Sequence, residues 1–441
     1  MKKLSLLDII LLGITNFALY VGAGNIIFPP FLGLMAGSNA VIAAIGFLIT
    51  GVGLPVIAAI ALAKVSGRLN LITLPIGVKC GLAASVVCYL CIGPLYAIPR
   101  TATVSYALAV TPFVEEDKYL PYYSAAYFIF AALVALYPSR ILDTLGKVLS
   151  PVKIISLIVL IAAGALIIPG EGSAPQGAFV DASFSQGIIN GYLTLDTLAS
   201  LAFGIVIVDA IRSRGIDDNK SIVKYACISG TLAGLGMMTI YIGLFNLGYH
   251  SYALTPTAEN GAEVLSAYVN FAFGSGGSFF LALVICVACV VTAIGLICAC
   301  SSYFSKITGI NYRIYVFVIA LFGAVISNLG LTHLIKISVP ILIAIYPMFI
   351  VLVFGSFISG LLHSPRRVIA PTAALSLLFG FNDALESQGL SPLPEAVKSA
   401  LPMYQDCLSW LIPCLAFAAI LMIYDRIKGP AAKVHAANET D

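Results

Sequence analysis

Long apolar runs alternate with short polar segments along almost the whole chain. A helix needs about 20 predominantly apolar residues to cross the hydrocarbon core of a bilayer, and many of these runs approach or exceed that length. The pattern therefore predicts twelve membrane-spanning helices. They cover residues 6–34, 40–63, 77–110, 122–138, 148–169, 187–208, 223–248, 275–304, 312–328, 333–359, 366–384 and 406–425.

The order of the predicted helices suggests two similar groups of five, followed by a pair. Because five is odd, the second group would enter the membrane from the opposite side, which is the inverted-repeat plan of secondary transporters. We therefore predict an all-α polytopic membrane protein with a single membrane domain, 1–441. Its parts would be a first repeat at 6–169, an inverted repeat at 187–359 and two trailing helices at 366–425.

Composition agrees with this class of protein. Of the 441 residues, 60% are hydrophobic and only 10% are charged, whereas soluble domains carry about 25% charged residues. The ten cysteines lie almost wholly inside apolar runs. Their two C-x-x-C pairs have no histidine nearby to complete a metal site, so we interpret them as small apolar side chains.

The distribution of positive charge predicts the orientation. With the N-terminus in the cytoplasm, nineteen of the 23 lysines and arginines lie at inner ends and loops, and four lie on the outer side. Cytoplasmic loops of membrane proteins carry this excess. Both termini are therefore expected in the cytoplasm.

Several function classes lack their sequence signals. The chain has no G-x-x-x-x-G-K-[ST] loop for ATP hydrolysis and no H-E-x-x-H motif for metal-dependent hydrolysis. It also has no repeated pore loop of the kind that forms channel filters. We do not expect an enzyme, although a membrane receptor or enzyme that moves no solute is the competing hypothesis.

The first predicted helix is interrupted near its middle by Gly22, Gly24 and Asn25. A break there would release backbone groups that hydrocarbon cannot satisfy, so the gap should line a cavity or hold a ligand. The half-helix that starts at Gly24 would offer N–H groups to a carboxylate. Carbonyls between Ala18 and Ala23 would suit a cation. The alternative is a helix softened by glycine for close packing.

The sixth predicted helix is interrupted in the corresponding place, within 191–204, by several hydroxyl residues and Asp196. Paired interruptions in two repeats are the best sequence indication of a transport site. An acid inside a span costs at least about 2.5–3.5 kcal/mol and is functional or paired by default. Asp196 would either contact a substrate ammonium or a cation, or pair with Arg100 as a structural or outer-gate contact.

Four more residues have two interpretations each. Thr292, with a nearby carbonyl, could ligate a small cation, or its hydroxyl could bond to its own helical turn. Phe17 and Phe203 flank the two breaks and could enclose an apolar side chain, or they could be ordinary packing. Lys153 could snorkel to the headgroups, or its ammonium could lie against the first break as a built-in cation.

Five segments resemble the bacterial branched-chain amino acid:cation symporter family. They read FALYVGAGNIIFPP at 17–30, GPLYAIPRTAT at 93–103, TAIGL at 292–296, SNLGL at 327–331 and ISVP at 337–340. The resemblance implies the leucine-transporter fold and uptake of Leu, Ile and Val across the bacterial cytoplasmic membrane. It also implies sodium as the coupling ion, without another cofactor. We expect no nucleic-acid partner, and the oligomeric state is left open.

The resemblance also implies site residues. Gly22, Ala23, Gly24 and Asn25 would meet the substrate carboxylate and a neighbouring cation, and Thr194, Thr197, Ser200 and Phe203 would line the pocket from the sixth helix. Carbonyls of Ala18, Val21 and Ala288 and the hydroxyl of Thr292 would hold sodium. Val291 stands where the fold usually has a second hydroxyl. Proton-coupled relatives of this fold use a lysine on the fifth helix in place of the ion.

Overall fold

A computed structural model describes residues 4–114, 117–390 and 393–429, and this part of the chain is helical and contains no strand. The α-helices are α1 (Leu6–Tyr20), α2 (Ala23–Ala36), α3 (Ala40–Leu48), α4 (Leu54–Lys64), α5 (Leu69–Thr73), α6 (Val78–Leu90), α7 (Ala97–Ala109), α8 (Leu120–Ala135), α9 (Pro138–Leu166), α10 (Ser183–Leu193), α11 (Asp196–Arg212), α12 (Asn219–His250), α13 (Gly261–Thr308), α14 (Tyr312–Ser327), α15 (Leu331–Ile358), α16 (Pro365–Glu386), α17 (Glu395–Ala400) and α18 (Leu411–Lys428).

Each of the twelve predicted runs coincides with a helix or with consecutive helices. Within the described ranges, six helical segments are long and apolar enough to cross a membrane, and a pair bent by 47° at 183–212 raises the number to seven. Four shorter apolar helices overlap the predicted spans 6–34, 122–138, 148–169 and 312–328; they are Leu6–Ala18, Leu120–Ala135, Pro151–Leu166 and Tyr312–Ser327. The prediction of an all-α, multi-pass membrane protein is confirmed.

Both predicted interruptions are present. The first span changes from α1 to α2 at Val21 and Gly22, where Gly22 has extended backbone angles. The sixth span changes from α10 to α11 at Thr194 and Leu195. Leu195 is buried and has a φ of 64°, a left-handed conformation that a branched side chain rarely adopts. Such backbone strain is found mostly at functional sites.

A third break places α7. A π-helical segment, Cys91–Leu95, separates α6 from α7, and Gly93 within it has non-helical angles. The following Pro94 has no N–H to donate to the helix. A Cβ on Gly93 would lie 2.7 Å from the Sγ of Cys300, so a larger residue would push α13 away. This break directs α7, with Arg100, toward the middle of the sixth span.

The chain divides into two compact units, one made of residues 1–69 and 86–342 and the other of 70–85 and 343–441. In the first unit α12 packs against α1, α2, α4 and α9, and α13 packs against α2, α7, α9 and α14. In the second unit α16 packs against α18. The buried carboxylate of Asp425 there accepts hydrogen bonds from the N–H groups of His363 and Ser364, just before α16.

A candidate transport site between the two broken helices

Asn25 organises the first break. Its Oδ1 accepts a hydrogen bond of 2.9 Å from the N–H of Gly22, which fixes the turn between α1 and α2. Ala23, Gly24 and Asn25 are all buried in the first turn of α2. The first N–H groups of a helix have no intrahelical acceptor and carry the positive end of the helix dipole. This end of α2 can therefore bind a carboxylate.

Asn25 also joins the first break to the second. Its Nδ2 donates 2.6 Å to the Oδ2 of Asp196, the first residue of α11, and also donates to the hydroxyl of Tyr241. Tyr241 lies on α12 and donates 3.2 Å to the same Oδ2. The three side chains are buried, and hydrogen bonds to a charged group are the stronger ones in such a network. The two broken spans are thus held together by a carboxylate.

Arg100 binds the end of α10. Its guanidinium donates to the carbonyls of Leu193 and Thr194 and lies 5.2 Å from the ring of Phe28. The last carbonyls of a helix are unsatisfied and carry the negative end of the dipole, so a cation stabilises them. Gly24 of α2 lies against the guanidinium, so that a Cβ there would lie 2.9 Å from Nη2 of Arg100. The hypotheses that Asp196 pairs with Arg100 or binds a ligand both stay predictions.

Lys153 binds the end of α1 in the same way. Its ammonium donates 2.7 Å to the carbonyl of Val21 and 3.2 Å to that of Ala18, and the residue is only 8% exposed. This geometry corresponds to the built-in cation and not to a snorkelling side chain. Two carbonyls that were predicted to hold sodium therefore contact an ammonium in this structure.

The other two predicted sodium ligands lie beside the same break. The Thr292 hydroxyl donates 2.9 Å to the carbonyl of Ala288, one turn earlier on α13. A Cβ on Gly22 would lie 3.7 Å from the Cγ2 of Thr292. The oxygen of a hydroxyl that donates can still accept a cation or a hydrogen bond. The fold therefore brings Thr292 close to the first break.

One buried hydroxyl at the breaks, that of Thr197 in the first turn of α11, has no hydrogen-bond partner among the described residues. The buried hydroxyl of Tyr20, the last residue of α1, lies beside that of Ser200. By contrast, Thr194 donates to the carbonyl of Gly191 and Ser200 donates to that of Asp196. Buried polar groups are nearly always paired. The hydroxyl of Thr197 is therefore available to a polar ligand.

The two predicted aromatic pocket residues lie on α1 and α11. Phe17 is buried and packs toward α12, where a Cβ on Gly236 would lie 3.0 Å from its ring. Phe203 is half-buried on α11. Tyr20 and Tyr241 were not predicted from the sequence to lie at the breaks. The signal for Tyr241 was a polar hydroxyl in the middle of an apolar run.

Comparison with known proteins places this arrangement in a family. A family model described as "Branched-chain amino acid transport protein" matches residues 5–428. The chain belongs to this family. The branched-chain amino acid transport system 3 carrier protein of Pseudomonas aeruginosa is 50% identical over 430 residues, which are 97% of this chain and 98% of that protein. The branched-chain amino acid permease BrnQ of Escherichia coli K12 is 47% identical over 424 residues, 96% of each chain.

Solved structures agree on the fold of this membrane transporter. Mhp1, a nucleobase-cation-symport-1 family transporter, in its inward-facing conformation has a TM-score of 0.63 at 12% identity, covering 95% of this chain and 91% of that one. MhsT, solved with L-phenylalanine, has a TM-score of 0.53 at 16% identity, covering 95% and 98%. The predicted leucine-transporter fold is confirmed. The transporter is not an enzyme.

The close contact between Gly24 and Arg100 makes a testable prediction. A Cβ on Gly24 would lie 2.9 Å from Nη2 of Arg100 and 3.0 Å from Cζ, so Gly24→Ala should displace the guanidinium from the end of α10. We expect leucine uptake to fall at least tenfold, because each lost charge-assisted hydrogen bond costs about 1.5–3 kcal/mol. Gly295→Ala is the control, since nothing lies within 4 Å of its added Cβ. Equal uptake by the two variants would contradict the prediction.

Proposed function

We propose that the transporter is a symporter that imports branched-chain amino acids together with a cation. The observation that carries this proposal is the junction of two broken spans through Asn25 and Asp196. It places an anion-binding helix end, a carboxylate and the buried hydroxyls of Tyr20 and Thr197 at the two breaks. A zwitterion needs complementary charges of this kind. The relatives at 47–50% identity are named for branched-chain amino acids, which supports Leu, Ile and Val as substrates.

The substrate would bind between α2 and α11, in contact with both breaks. Its carboxylate would accept from the N–H groups of Ala23 and Gly24, and its ammonium would lie toward Asp196. The hydroxyls of Tyr20 and Thr197 would complete its polar contacts, and Phe203 would contact its side chain. An apolar pocket distinguishes side chains that differ by one methylene by only about 1–3 kcal/mol. Leu, Ile and Val should therefore compete with one another.

The coupling cation would bind at the end of α1. Sodium would take the carbonyls of Ala18 and Val21 with Ala288 and Thr292, which requires the ammonium of Lys153 to move away. The contacts of Lys153 with both carbonyls favour a second candidate, proton-coupled symport, in which the ammonium is the cation of this position. In either case the charge at this end of α1 would set the balance between conformations.

Transport would follow alternating access. Movement of the broken spans against the other helices would open the junction to one side and then to the other. The excess of lysine and arginine on one side supports a location of both termini in the cytoplasm, and the bacterial relatives support the inner membrane.

Reconstituted vesicles test this proposal. Purified transporter in proteoliposomes is supplied with labelled leucine and either an inward sodium gradient at constant pH or an inward proton gradient without sodium. We expect leucine to accumulate above equilibrium with one gradient and only to equilibrate without any. Accumulation with sodium alone supports the sodium site, and accumulation with protons alone supports the second candidate. No accumulation with either gradient, by protein that binds leucine, would overturn cation symport.

A further inference from the structure

An apolar groove lies between α1, α9 and α12, on the side of α1 away from α11. Its volume is about 570 Å³. The floor is the contact of α1 with α12, where two glycines permit close packing: a Cβ on Gly13 would lie 2.9 Å from the Cβ of Leu232, and one on Gly236 would lie 3.0 Å from the ring of Phe17. The opposite wall consists of five side chains of α9, those of Pro151, Ile154, Ile155, Ile158 and Ile161. A void therefore separates α1 from α9.

The groove has an almost purely apolar lining. Six of the thirteen lining residues are isoleucines of α1 and α9, and four of these are also exposed: Ile10 is 42% exposed, Ile14 47%, Ile155 60% and Ile158 51%. The hydroxyl of Thr239, also in the lining, donates to the carbonyl of Leu235 in its own helix. The lining therefore offers no free polar group to a ligand. A polar solute would find no hydrogen-bond donor for its acceptors in this groove.

The surroundings of the groove determine its occupant. The three helices belong to membrane spans, so the mouth opens toward hydrocarbon and not toward water. The eleven-residue stretch of α9 along the groove, 151–161, is about 16 Å long, which matches one leaflet of a hydrocarbon core about 30 Å thick. A single acyl chain has this length and this chemistry. A helix is about 10–12 Å wide with its side chains, so a helical segment of the same length would need more room than this groove of about 570 Å³ offers.

We propose that the groove binds one acyl chain of a membrane phospholipid as a fixed part of the transporter. The chain fills the gap between α1 and α9, so that α1 is packed on this side by lipid instead of by side chains. Lys153 lies near the start of the same segment of α9, and its ammonium links α9 to the end of α1 through the carbonyls of Ala18 and Val21. The lipid therefore stabilises α1 in the position where its last carbonyls meet that ammonium.

The first experiment fills the groove. Ile158→Trp places an indole in the lining, and Val159→Trp is a matched control because Val159 is also 51% exposed but lies outside the lining. Both variants and the unmodified transporter are purified with extensive detergent washing, and phospholipid phosphorus is measured per chain. We expect the unmodified protein and Val159→Trp to retain one phospholipid more than Ile158→Trp. Equal retention by the two variants would overturn the proposal.

A second experiment is independent of bulky substitutions. Unmodified transporter is reconstituted in vesicles that contain phosphatidylglycerol with a photoactivatable acyl chain, and cross-linked peptides are mapped. We expect adducts on Ile14, Ile155 and Ile158 to exceed those on equally exposed Leu11 and Val159 at least fivefold after delipidation. Adducts spread evenly over exposed apolar residues would show annular lipid only and reject a bound chain. Neither experiment depends on which cation drives transport.

Discussion

Replacing Lys153 with methionine is expected to lower the sodium concentration needed for half-maximal leucine uptake at least tenfold. The ammonium contacts the carbonyls of Ala18 and Val21, which are the proposed sodium ligands. Two like charges 4 Å apart repel by about 4 kcal/mol at an effective dielectric constant of 20. Sodium and the ammonium must therefore compete. Methionine has a similar length and removes the competing charge together with its N–H donors.

A companion variant should act in the opposite direction. Thr292→Ala removes the proposed hydroxyl ligand and should raise the half-saturating sodium concentration. Ser156→Ala is the control for α9, because its exposed hydroxyl bonds only to the carbonyl of Val152 in its own helix. It should leave the sodium dependence unchanged. The measurement is initial uptake in proteoliposomes at fixed pH over a series of sodium concentrations.

Stability gives a readout that does not require transport. In Lys153→Met the carbonyls of Ala18 and Val21 lose their donor, and an unsatisfied buried polar group costs about 1–3 kcal/mol. Sodium that binds these carbonyls should raise the Tm of this variant more than that of the unmodified protein. If the variant is folded, does not respond to sodium and no longer accumulates leucine, the ammonium itself is the required cation and the sodium site is wrong.

Replacing Asp196 with asparagine is expected to raise the KM for leucine by roughly ten- to a hundredfold. Asparagine keeps an oxygen that can accept from Asn25 and Tyr241, so the junction of the two breaks should survive. It removes the negative charge that we assign to the substrate ammonium. A hydrogen bond to a charged group contributes about 1.5–3 kcal/mol, and 1.4 kcal/mol corresponds to a factor of ten.

The control and the double variant separate two roles of Asp196. Asp209→Asn lies on the same helix, but its side chain is 63% exposed, and we expect no change in KM. Asp196→Asn is then combined with Arg100→Gln. If the two residues act only as a pair, the double variant should be no worse than either single one, whereas ligand binding by Asp196 predicts a further loss. An unchanged KM in Asp196→Asn would reject contact with the substrate.

Both interruptions could be found in the sequence because helix breaking is local. Gly22 and Gly24 in an apolar run, and hydroxyls around Asp196 in another, weaken a helix whatever surrounds them. The partners of the charged residues could not be found in this way. Asp196 accepts from Asn25, 171 positions away, and from Tyr241, 45 positions away. Only packing of distant helices decides that Tyr241, and not another tyrosine, faces this carboxylate.

The sequence by itself determined the membrane class, the positions of the spans, the two breaks and the family, because apolar length and helix-breaking residues act within one segment. The tertiary structure decided which cation meets which helix end: Lys153 at α1 and Arg100 at α10. A long flexible side chain reaches headgroups or a neighbouring helix with equal ease, so its sequence position alone favours neither. The groove between α1 and α9 was decided in the same way, since a void exists only where packed helices leave one.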